Sequence, residues 1–344
     1  GYSFGTVILS WRIAHEEAVA QGVQIAAPNV TDFEPIYNVG FLDIAKREGM
    51  LPAIHSDNLF AERATEPESY DHKILGWTLA PLIKYNVVKK AALLRKITSR
   101  FGIKELMSGH VAWSERRIRR QLADPSAKQA DYLSRYLCLL AASGTFDRIY
   151  WGPMIGQREG IIDDGSTEYP DELPHVTFYG KAKGNVSDYK RRPAFYALKT
   201  VIEMLSGARF VKDHSSSLHL RVLEFTKDGA CLHVAWTTNG NGFDPASWYD
   251  TDALARANVR LRDGDALETF PCVIGESPVF LTWDQPPAVR DTPPAVMEQH
   301  RFHSTTDAVL RRVADEQWRG VVVTPAEGDP AAVVAALHPA ALDQ

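Results

Sequence analysis

Two hydrophobic periodicities alternate along the first 207 residues. Apolar positions recur at helical spacing over 4–20, 36–49, 73–101, 126–143 and 191–207. Between these stretches lie short, nearly unbroken apolar runs at 23–30, 50–60, 104–113 and 146–155. Gly22, Gly49 and Gly144 follow three of the helical stretches, where a left-handed C-cap is expected, and Pro193 stands near the start of the last. Strand–helix units with near-continuous apolar strands predict a parallel sheet covered by helices.

From about 208 the texture changes. LHLRVLEFTK, ACLHVAWTTN, NVRLRDGDALETF and SPVFLTWD alternate apolar and polar residues, with Asp and Gly turns between them. This predicts an antiparallel β-domain, read as a small sandwich. DQPPAVRDTPPA (284–295) has linker composition, and beyond it only 304–318 carries a helical pattern. The division is therefore 1–207 for the α/β part, 208–285 for the β-domain and 286–344 for a linker and tail.

Composition narrows the function. With 344 residues and a net charge of −5, the chain is of multi-domain size and offers no basic footprint for nucleic acid. No apolar stretch is long enough to span a membrane. Cys138 reads as a core residue; Cys231 and Cys272 lie in strand-like segments of one region, where they either meet or, the favoured reading, stay buried free thiols. No metal-ligand spacing, phosphate loop or G-x-S-x-G elbow occurs, so no cofactor and no metal are expected.

Polar groups collect where the predicted strands end: Asn29 and Asp32, then Ser56, Asp57 and Asn58, then Ser114 and Glu115, then Gln157 and Asp163 in the loop after the fourth strand. In parallel α/β folds this edge carries the active site. Each group has two readings. Glu115 is either a carboxylate placed for chemistry or the first residue of a helix capped by Ser114. Trp113 and Trp151 are either sugar platforms or core residues. Asp57 and Asn58 bind hydroxyls or cap a loop, and Asn29 and Asp32 form a turn or a rim. His55 and His110 read as interior histidines. Arg63 reads as one half of a surface ion pair, and the RRIRR run (116–120) as a solvated face.

QADYLSRYLCLLAASGTFDRIYW, GIIDDG and RRPAFYALKTVIEML resemble the last part of the barrel in clan A retaining glycoside hydrolases, nearest the bacterial exopolysaccharide- and lipopolysaccharide-associated type. The resemblance covers roughly 4–285. It implies a (β/α)8 TIM barrel of glycosidase type, here as its last four βα units, followed by the accessory β-sandwich. Trp113-Ser114-Glu115 matches the family's W-[ST]-E, which implies Glu115 as nucleophile. Tyr150-Trp151 matches its aromatic eighth strand, with Trp151 as sugar platform. Trp113, Asn58, Asp57, Asn29 and Asp163 complete the implied substrate site, and the implied partner is an oligo- or polysaccharide. The family's acid/base stands in an Asn-Glu pair on the fourth barrel strand, which would precede Gly1, so the resemblance implies a piece of a longer protein. Two positions depart from the pattern: arginines follow Glu115, and Asn58 stands where a histidine is usual.

Overall fold

The computed structural model describes residues 3–29, 33–61, 66–70, 76–115, 118, 122, 124–156, 159–165, 185–215, 219–290 and 297–298. Helix α1 (Phe4–Gln21) begins at Ser3, whose hydroxyl accepts from Thr6 N, and ends at Gly22 in the left-handed conformation. Helix α2 (Pro35–Arg47) follows with Pro at its first turn. Three short strands then form a parallel sheet in chain order: β1 (Ile54–Asp57), β2 (Glu105–Ser108) and β3 (Arg148–Ile149). Ala26 extends the sheet by a parallel bridge to Ile54. Four successive segments therefore lie side by side in register, joined by helical crossovers.

Most of the chain's helical periodicity becomes helix, with one correction. The stretch 73–101 is two helices, α3 (Gly76–Leu82) and α4 (Val87–Arg100). Pro81 lacks an N–H to continue the ladder, Lys84 turns at φ 52°, and Asn86 restarts the helix by accepting from Lys89 N. Helix α5 (Pro125–Ser143) is capped by Asp124 and stopped by left-handed Gly144, and α6 (Pro193–Leu205) starts on Pro193. The apolar runs give shorter strands than their length suggests. Among the described residues, the run at 23–30 contributes only the Ala26 bridge, and 109–113 leaves the sheet as a loop.

After the loop that follows β3, β4 (Ile162–Asp163) pairs antiparallel with β5 (Lys190–Arg191), which leads into α6. Beyond Gly207 an antiparallel sheet forms with the order β11-β10-β12-β8-β7-β6. Its strands are β6 (Arg209–Asp213), β7 (Leu220–Lys227), β8 (Ala230–Thr237), β10 (Asn258–Leu261), β11 (Ala266–Leu267) and β12 (Val279–Trp283). The β7–β8 hairpin turns on Asp228 and Gly229, both at positive φ as a type I′ turn requires. A second large sheet does not face it among the described residues. One face lies on the helices, where Leu223, Phe225, Val234, Trp236 and Phe280 join the core of the α/β part. The other is covered by the 241–257 segment: strand β9 (Asn241–Gly242), which pairs with β13 (Met297–Glu298), then Trp248, Tyr249 and the short helix α7 (Thr251–Arg256). The described residues thus show one sheet with a loop-and-helix cover where a sandwich is expected.

The two parts are held by buried charge as well as apolar surface. Arg135 of α5, fully buried, donates from Nε (3.0 Å) and Nη2 (2.5 Å) to Glu68, and Trp236 of β8 donates to the same carboxylate at 2.7 Å. Lys128 and Arg262 add ion pairs from α5 to Glu276 and from the β-domain to Asp131. The tail beyond 298, with the helix expected at 304–318, lies outside the described residues, as do Asp32, Arg63 and the four arginines of 116–120. All three cysteines are free, with Cys138 and Cys231 buried.

Candidate active site

The ends of the parallel strands lie along one edge. The strand-to-strand bonds continue past the sheet: Gly109 N donates to Asp57 O, Tyr150 N to Ser108 O and Gly152 N to Val111 O. Side chains alternate about each strand. On β1 this sends His55 and Asp57 one way and Ser56 the other.

Ser56, Asn58 and Asn29 meet at the strand ends. Asn29 Nδ2 donates to Asn58 Oδ1 at 3.1 Å and to Ser56 Oγ at 3.4 Å. The backbone of Gly109 runs directly over them. A Cβ there would stand 2.6 Å from Asn29 Nδ2 and 2.8 Å from Ser56 Oγ, so the residue must be small for the polar trio to reach the edge.

Asp57 is turned away from this trio. Its Oδ2 accepts from Asn38 Nδ2 of α2 at 2.7 Å, its Oδ1 accepts from Asn58 N, and His55 Nε2 donates to Asn38 Oδ1 at 2.6 Å. This is a buried bracket between β1 and α2. Burial pushes the His55 imidazole down to about 4, which keeps it neutral.

The Trp113-Ser114-Glu115 triplet divides its work. Trp113 is buried against Tyr136 and Tyr132 of α5, and Trp151 stacks on it with ring centroids 5.9 Å apart and planes 16° apart. Trp113 is therefore packed in the core beneath Trp151. Trp151 is half-buried, and its Nε1 has no protein partner, nor do the buried hydroxyls of Ser108 and Ser114.

Glu115 is the first residue of a helical turn, since Ser114 O accepts from Ile118 N at 3.1 Å. The helix-start reading thus holds for the backbone, although the Ser114 side chain caps nothing. The carboxylate turns inward. Ser126 Oγ, in the first turn of α5, donates to Oε1, and the guanidinium of Arg192 lies 3.7 Å from Oε2. Arg192 also stands 3.5 Å from Asp163 and donates to Gly160 O at 3.0 Å. One buried arginine therefore joins Glu115 to Asp163. Gly160 permits this turn, because a Cβ would fall 2.4 Å from Gly156 N.

Three groupings result: Asn29 with Asn58, Trp113 with Trp151, and Glu115 with Asp163 through Arg192. Sequence reasoning passed over Ser126 and Arg192. The signal for Arg192 was its place directly before the Pro that starts α6. Its partners lie far off in sequence, and pattern alone could not find them.

A carboxylate held by a hydroxyl and a guanidinium, near an indole and amide groups at the ends of parallel strands, suits the handling of a polyhydroxylated ligand. A family 39 glycoside hydrolase from Bacteroides cellulosilyticus matches with a TM-score of 0.51 and 18% identity, over 72% of this chain. The likeness is one of fold. The chain spans about half (48%) of that enzyme's length. A family 30 endoxylanase from Clostridium papyrosolvens aligns over 82% of the chain and 61% of its own, at 11% identity and a TM-score of 0.45. No family model and no curated protein matches the chain. No described helix is long and apolar enough to cross a membrane.

Proposed function

We propose that this glycosidase fold hydrolyses O-glycosyl bonds of a bacterial polysaccharide with retention of configuration. The carrying observation is the Glu115 carboxylate, placed just beyond the end of β2 and bound by Ser126 and Arg192. Glu115 attacks the anomeric carbon while an acid protonates the departing oxygen. Water, deprotonated by the same group, then releases the sugar from Glu115. Such pairs stand about 5–5.5 Å apart. In this reading the second carboxylate belongs to strand–helix units that complete the barrel. Support comes from the sheet edge at Ala26, and from Leu9, Ile13 and Val19 of α1, which lie exposed. Trp151 offers its face to a sugar ring, and Asn58, Asn29 and Asp163 offer polar groups to hydroxyls.

A second reading is a glycan-binding protein without turnover. It is favoured by the near-complete burial of the Glu115 side chain, 11% exposed beneath Arg192. A 2-deoxy-2-fluoro glycoside panel separates the two. Hydrolysis predicts a covalent adduct on the peptide containing Glu115, absent in Glu115→Gln. Glycan binding with neither turnover nor adduct favours the second reading, and an adduct on another carboxylate overturns the assignment of Glu115.

A further inference from the structure

The β-domain carries a second cluster of chemistry-bearing side chains, far from Glu115 in sequence and built on three neighbouring strands. Glu224 of β7 is paired directly across from His233 of β8. His214 follows β6, and its backbone N donates to Val222 O, which continues the β6–β7 ladder. All three side chains project from the sheet face that Trp248 and Tyr249 cover. His214 Nε2 is 2.6 Å from Glu224 Oε2, and His233 Nε2 lies 3.9 Å from that same oxygen. The donor atoms of the three residues all lie within 4.8 Å of one another.

We propose that His214, Glu224 and His233 bind a zinc-class divalent cation that pins the edge strand β6 to the sheet. Two imidazoles and a carboxylate form a donor set such ions accept. At metal–ligand lengths of about 2.0–2.2 Å, tetrahedral donors stand about 3.3–3.5 Å apart. The 2.6 and 3.9 Å separations bracket that spacing, so rotation of the rim residue His214 admits the ion without moving the backbone.

Two features favour a metal over an ordinary His–Glu hydrogen bond. A hydrogen-bonded pair needs no second imidazole, yet His233 converges on the same oxygen. In addition, the buried Tyr249 hydroxyl lies 2.8 Å from His233 Nδ1 and orients the ring so that Nε2 faces the cluster, as outer groups do for metal-bound histidines. Trp248 lies against both imidazoles and Trp283 against His233, giving the cluster a rigid wall. The side chains of His214 and Glu224 are 14% and 19% exposed, which leaves an entry path and a fourth position for water. All five residues of β6 are exposed, so a bond from its end to β7 and β8 would secure an edge that packing alone holds weakly.

The proposal is independent of the glycosidase reading. The test uses the whole chain, stripped with chelator and titrated with zinc against a chromophoric competitor, and with cobalt followed by visible absorption. One ion per chain is expected, with a tetrahedral cobalt spectrum and a thermal midpoint that rises with zinc. His214→Ala and Glu224→Gln, both at the partly open rim, should each weaken zinc at least about tenfold while circular dichroism stays unchanged. His233→Ala is a third arm, read only if it folds. Absence of saturable binding in the folded wild type overturns the proposal. So does zinc affinity unchanged in the folded His214→Ala and Glu224→Gln variants.

Discussion

Replacing Arg135 tests how the helices and the antiparallel sheet are held together. The guanidinium is fully buried and gives Glu68 two charge-assisted hydrogen bonds, at 3.0 and 2.5 Å, with Glu66 at 3.3 Å. Burial works against the Arg135 charge, but Glu68 and Glu66 outweigh it and hold the group firmly protonated. Burial likewise opposes ionisation of Glu68, yet Arg135 and the Trp236 N–H bring its carboxyl below the usual range. Arg135→Met removes the cation and leaves a buried carboxylate with Trp236 as its remaining side-chain donor, beside a second acid. Breaking a buried pair in this way costs about 3–5 kcal/mol. For a chain of this size that lowers the thermal midpoint by about 4–7 °C.

The double variant Arg135→Met/Glu68→Gln removes the stranded charge and keeps an acceptor for Trp236. It should lose only about 1–2 kcal/mol, less than Arg135→Met alone. Urea unfolding followed by tryptophan fluorescence measures each loss. Losses that simply add in the double variant would refute the reasoning, because the cost would then lie in packing and not in an uncompensated charge.

Other outcomes follow from the strand ends and the bracket behind them. Gly109→Ala drives a methyl into Asn29 and Ser56 and should cost about 1–3 kcal/mol. It should also weaken glycan binding, and calorimetry showing unchanged affinity would remove that trio from the ligand site. Glu115→Gln should lower turnover by about a thousandfold or more with the fold intact, checked by steady-state kinetics beside a thermal melt. Asn38→Ala removes the donor to Asp57 Oδ2 and the acceptor of the His55 ring N–H, and should cost about 2–3 kcal/mol in a urea titration. His55 is pushed by burial from 6.5 down to about 4, so between those values the unfolded chain holds a proton that the folded chain does not. Its contribution is complete above about pH 6.5 and is lost as the pH falls toward about 4, at up to about 1.4 kcal/mol per pH unit. His55→Gln should flatten that slope, and equal slopes from about pH 7 to about pH 5 would count against it.

The local rules were legible where a residue acts within its own turn. Gly22 and Gly144 end α1 and α5 because a left-handed residue closes the last carbonyls, a property of the residue itself. Pro125 and Pro193 open α5 and α6 for the same kind of reason. The periodicity over 73–101 looked continuous because pattern weighs apolar spacing above Pro81 and Asn86, which divide it. Trp113 and Trp151 are indistinguishable in sequence, since both end an apolar run. Their stacking order, with one ring beneath the other against α5, decides which of them is buried more deeply.

By itself the sequence determined the alternating strand–helix order, the turn to antiparallel texture near 208 and the collection of polar groups at the strand ends. Each depends on spacing of a few residues, the range over which backbone sterics and amphipathic periodicity act. Tertiary structure alone decided that Asp57 faces α2 while Asn58 faces Asn29. It also brought Arg192 against Glu115, His214 to Glu224 and His233, and Arg135 to a carboxylate 67 positions away. Those pairings join residues on different elements, and only packing the elements into one core sets which side chains are buried together and must satisfy one another's charge and hydrogen bonds.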